Sequence, residues 1–184
     1  MHARPHVTLV LACVAVLACH GSRGAPDAAA VDVNVETTKL AALLPSSVGT
    51  FTANGPPVKI ATTDMWMQSG CTYTDPAGTT AEIRLTTGNM RMELQMLASD
   101  DEHSFTGDSP VYWRTTTVAG HRARIGEERP IVRSSECLVR VEPNHVVAVR
   151  VTPAAPGECA SVAELLDFKS IVASGGVPSA RYTK

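Results

Sequence analysis

The segment from Cys137 to Val151 constrains the fold more than any other stretch of the chain. Cys137, Val139, Val141, Val147, Val149 and Val151 fall at every second position on either side of a turn-forming centre, Pro143-Asn144-His145. Strand side chains alternate between two faces, so this spacing describes two antiparallel strands sharing one apolar face. A three-residue loop pairs Val139 with Val149 and Cys137 with Val151. It leaves His145 in the turn, where His tolerates a left-handed backbone. A slip of one residue would send every apolar side chain to the other face. That other face carries Arg140, Glu142 and Arg150 and is expected to be wetter.

Two more hairpins follow the same logic. Cys71, Tyr73, Ala81, Ile83 and Leu85 share a face only if the loop has three residues, Pro76-Ala77-Gly78. That loop has Pro where a type I turn takes it and Gly at the left-handed position. Tyr73 then stands opposite Ala81, and Cys71 opposite Ile83. Ala119-Gly120 joins a third pair, Val111–Val118 and His121–Ile125. The first two hairpins echo each other: Cys71…Ile83-Arg84-Leu85-Thr86 parallels Cys137…Val149-Arg150-Val151-Thr152 at an offset of 66. The turn prolines break the offset by one. Duplication is one account; convergence on common strand chemistry is the plainer one.

Helical signals are fewer. Leu40, Leu43 and Leu44 recur at helical spacing and Pro45 ends the run. Met90 to Leu97 alternates like a strand, but it holds only good helix formers and no β-branched residue, so it is read as a helix. Ser161-Val-Ala-Glu164 has the form of a capping box. Val162, Leu165, Phe168 and Val172 then form a stripe that Gly175-Gly176 and Pro178 close, giving a C-terminal helix over 161–173. The expected fold is α+β, five to seven mostly antiparallel strands with two or three helices on one face.

The N-terminus addresses the chain. Arg4 precedes an apolar run, Val7 to Ala18, of 12 residues, against the roughly 20 that a spanning helix needs. It fits a removable export signal. Val16-Leu17-Ala18-Cys19 resembles the lipobox of bacterial lipoproteins, although Leu17 is less usual beside the small residue. The resemblance covers the N-terminus only, and implies a lipid on Cys19 as the first mature residue. Leu11-Ala12-Cys13 is a poorer match, because its apolar run would be shorter than signals use. An ordinary secretory signal is the alternative. His20, not Asp, follows the cysteine; by analogy with enteric sorting, the outer membrane is favoured over the inner. The domain organisation is then a signal peptide (1–18), a Gly-, Ala- and Pro-rich tether (19–35), one domain (36–178) and a tail (179–184).

Composition narrows the partners. Net charge is −2 and aromatics are 4%, which argues against nucleic acid. No polybasic segment flanks the anchor to attract anionic lipid. Export implies an oxidising compartment. With Cys13 removed and Cys19 lipidated, Cys71, Cys137 and Cys159 remain, and three pairings are open. The short return from Thr152 favours Cys137–Cys159 over either pairing with Cys71 and over no bridge at all. Such a bridge adds on the order of 3 kcal/mol.

Candidate chemistry is sparse. Met65-Trp66-Met67 and Met90-Arg91-Met92, with Met96, form two Met-x-Met units whose thioethers suit Cu(I); His103 or His121 can complete such a site. Met also simply fills core gaps. Asp100-Asp101-Glu102-His103 and Asp108 lack the spacing of a calcium loop. Gly107-Asp108-Ser109-Pro110 is not a nucleophile elbow. The expected function is non-enzymatic binding or scaffolding in the cell envelope, with membrane attachment through Cys19 and an envelope component as partner. Soft-metal binding through Met65, Met67, Met90 and Met92, and an extracytoplasmic hydrolase, are the alternatives.

Overall fold

The computed structural model describes residues 33–62, 66–88, 97, 104–105, 111–128, 133–141 and 144–175. The lipobox, Met65, Met90, Met92, the acidic loop and the tail lie outside them. So does the stretch 90–97 except for Leu97, which is helical and fully buried.

The architecture is β-rich, not a balanced α+β. Among the described residues one antiparallel sheet takes in ten strands: β1 (Ser47–Val48), β2 (Phe51–Ala53), β3 (Val58–Thr62), β4 (Trp66–Thr74), β5 (Thr80–Gly88), β6 (Ser104–Phe105), β7 (Val111–Val118), β8 (His121–Glu128), β9 (Ser135–Val141) and β10 (His145–Thr152). Three short helices accompany it: α1 (Val33–Ala41), α2 (Glu158–Ala163) and α3 (Phe168–Ala173). The expectation of five to seven strands undercounts because β1, β2 and β6 have only two or three residues each, too few for alternation to register. The order is β1-β2-β4-β5-β10-β9-β8-β7-β6, with β3 also on β4.

The first hairpin has the register its three-residue loop dictates, Tyr73 opposite Ala81 and Cys71 opposite Ile83. The third turns through Ala119-Gly120, both at positive φ (48° and 82°), as a two-residue hairpin loop with the twist of its strands requires. The second hairpin differs from expectation. Val139 pairs with Val147 and Cys137 with Val149, and His145 is the first residue of β10, opposite Val141. A shift of two residues leaves every side chain on the same face, so apolar alternation cannot discriminate between the two registers. The two hairpins carry equivalent pairings at the offset of 66, and Ile83 of one pairs with Val149 of the other. A half-turn about an axis through that pair, perpendicular to the sheet, relates β4-β5 to β9-β10.

The main core lies between one face of the sheet and the helices. Ile83, Leu85, Val139, Val149 and Val151 meet Leu40 and Leu44 near α1, Val162 of α2 and Ile171 of α3. Tyr73 donates to the Pro45 carbonyl at 2.9 Å, tying the end of the α1 segment to the sheet. α1 begins at Val33, inside the range expected as tether.

The other face is not uniformly wet. Leu138, Val146 and Ala148 are buried in a second cluster with Leu97 and Trp113. Trp113 lies flat on its strand partner Gly126, where a Cβ would come within 2.8 Å of the ring. Nearer the other end of these strands the polar character holds: Arg84 Nη2 of β5 meets Glu136 Oε1 of β9 at 3.0 Å.

The expected helix over 161–173 is two helices. Gly157, left-handed at φ 76°, precedes α2, and Asp167 caps α3 by accepting the Ser170 N–H at 3.1 Å. Ser161 therefore lies inside a helix and caps nothing. Leu165 and Val172 are exposed, while Cys159, Val162, Leu166, Phe168 and Ile171 are buried. The break between the helices rotates the apolar stripe by more than a single straight helix would.

Candidate functional site

The turn of β7–β8 and helix α3 leave a groove of about 580 Å³ between them. Ala119 and His121 line it from the turn; Leu166, Phe168, Val172 and Ala173 supply most of the other wall. The His121 and Phe168 rings pack at 5.0 Å between centroids, tilted by 39°. Asp167 and Lys169, both exposed, give the groove one charge of each sign. Hydrogen bonds from the Ser170 hydroxyl and N–H hold the Asp167 carboxyl below its ordinary range. The groove exists because Asp167 restarts the helix: Phe168 then turns inward onto His121 while Val172, 40% exposed, faces solvent. Nothing in the sequence marks it, since His121 and Phe168 meet only through the tertiary fold.

A second constellation lies under α2. Cys137 of β9 and Cys159 of α2 are fully buried free thiols in one core cluster. Interaction with Cys159, then burial, pushes the Cys137 thiol strongly up. The same interaction draws Cys159 down, against burial and the Glu127 charge. Glu127, itself buried, accepts the Gly157 N–H at 2.5 Å and so fixes the entry to α2. Cys71 stands apart. Its thiol donates toward the Gly55 carbonyl at 3.5 Å, beside a smaller groove of about 410 Å³ bordered by Val58 and Ile60 of β3.

Met67 is buried in the main core, where its sulfur accepts the Thr37 hydroxyl at 3.6 Å. It is the one member of the expected thioether set within the described residues. His121 faces the groove of α3. Among the described residues no group of three or more His, Cys, Asp or Glu is placed to hold a metal ion, and no helix is long and apolar enough to cross a membrane. His145 is buried in the core, with its Nε2 3.2 Å from the Ser174 hydroxyl.

No family model, curated protein or solved structure matches this chain.

Proposed function

We propose that the chain is an exported lipoprotein, held at a membrane by a lipid on Cys19, whose domain is a non-enzymatic binding module facing an extracytoplasmic space. The lipobox supports the address, with the outer membrane favoured. The groove between the β7–β8 turn and α3 supports the binding role and is the observation that carries it: apolar walls around an aromatic stack, with a carboxylate and an ammonium at hand. Such a lining suits an apolar side chain or acyl group presented by an envelope component. Burying on the order of 150 Å² of apolar surface there gains about 4 kcal/mol, equivalent to roughly millimolar affinity. Useful binding therefore needs the charges of Asp167 and Lys169 as well.

The test places a photo-crosslinking residue at Val172 in the anchored protein in its own cells. A discrete adduct is expected at Val172, lost in a Phe168→Ala background and not formed from the same residue at Lys59 on the far edge. No adduct, or equal adducts at both positions, overturns the groove as the binding site. The anchor is tested separately: Cys19→Ala should remove the acyl mass and move the protein from the membrane to the soluble fraction.

A further inference from the structure

We propose that Cys137 and Cys159 are a disulfide-forming pair, and that their bridge staples α2 to strand β9. Both side chains are fully buried in one core cluster, on the helix and the strand that pack against each other there, and each thiol perturbs the other's titration. The register also excludes the competing pairing within the sheet. Cys71, Ile83, Val149 and Cys137 stand in one row across β4, β5, β10 and β9. Three strand spacings separate the two cysteines, about 14 Å, whereas a bridge needs Cα atoms within roughly 7 Å. Cys71 further points its thiol toward Gly55, on the β3 side of the sheet. Given the oxidising compartment that the proposed export implies, this is the pairing that the packing of α2 on β9 favours.

The chemistry is thiol–disulfide exchange with a disulfide oxidant, R′S–SR′. Before α2 docks, the Cys159 sulfur is open to the oxidant. As thiolate it attacks one oxidant sulfur, the S–S bond of the oxidant breaks, and R′S⁻ leaves. The Cys137 thiol then loses its proton to solvent and attacks the Cys159 sulfur, expelling the second R′S⁻. Two electrons pass to the oxidant, and the two protons of the cysteines re-form two R′SH. Because both thiols are sealed under α2, the exchange belongs to folding, before the helix docks.

The test refolds the full chain, in detergent, from denaturant and reductant into a buffer of oxidised and reduced glutathione. The products are alkylated in denaturant and digested without reduction. A linked peptide pair holding Cys137 and Cys159 is expected, with Cys71 alkylated. Both thiols alkylated, a bridge through Cys71, or stable glutathione adducts on either residue would overturn the proposal. A second measurement does not depend on variants that fail to fold. Oxidised wild type should melt roughly 10 °C above the same protein held reduced, and Cys71→Ser should keep that gap. Equal melting of the two forms would sink the stapling role.

Discussion

At the scale of single residues, His145 is a buried histidine with only one ring nitrogen hydrogen-bonded among the described residues. The Ser174 hydroxyl donates to the Ile171 carbonyl at 2.6 Å, so it accepts from His145 Nε2–H. That leaves Nδ1 as a buried acceptor with no hydrogen-bond partner among the described residues. Burial lowers the pKa of the ring below its ordinary value, keeping it neutral. The sign follows from linkage. Above about pH 6.5 the ring is neutral in both states and contributes no pH dependence. As pH falls below that, the unfolded chain takes up a proton that the folded chain refuses. Stability is then lost at up to about 1.4 kcal/mol per pH unit, until the lower folded pKa is reached. Urea midpoints at pH 7.5 and 5.5 should therefore fall further apart in wild type than in His145→Gln; parallel falls would show that His145 does not titrate in this way. Nothing local betrays this residue. A histidine beside Pro-Asn reads as a turn, and only its pairing with Val141 and Thr87 makes it a buried strand position.

At the scale of elements, legibility tracks how much of an element's register is decided locally. The β4–β5 hairpin was readable because its loop chemistry and its apolar face agree. Asp75 shows why: its Oδ1 accepts the Ala77 and Thr79 N–H groups at 2.9 and 2.8 Å, so one side chain closes the turn. Asp75→Ala should cost about 1–2 kcal/mol in urea denaturation, and Asp75→Asn much less, since Asn keeps the accepting oxygen. Equal losses would mean that charge, not the turn bonds, matters there. The β9–β10 hairpin was readable in face but not in register, because a slip by two preserves all that alternation can detect. The C-terminal helix was misread for a related reason. Val162, Leu165, Phe168 and Val172 keep helical spacing through the break, and the cap that restarts the helix is Asp167-x-x-Ser170, not Ser161. The groove depends on that break, so it was invisible too.

At the scale of the molecule, burial is concentrated on β5 and β10, which run through the middle of the sheet with a helix-covered face above them. Ile83, wholly buried at the centre, and Val58, 58% exposed on β3, are both apolar strand residues. Ile83→Ala should cost about 2–5 kcal/mol through the cavity it leaves, while Val58→Ala should stay within about 0.5 kcal/mol. Chemical denaturation of the two variants checks this; comparable losses would put the core elsewhere. Composition hinted at neither position, since both are branched aliphatics in short β-rich runs.

The pairing of Ile83 with Val149 has a kinetic consequence. Each of the hairpins β4–β5 and β9–β10 closes over a handful of residues, whereas the seam between them joins positions as far apart as Thr80 and Thr152. Closing so long a loop costs entropy before any seam contact repays it. The hairpins are thus the early, local events, and β5 meeting β10 is the slow, committing one. A chain with β9 and β10 removed would leave the edge of β5 open to a neighbour, so truncation there should favour association between chains over a half-sized fold.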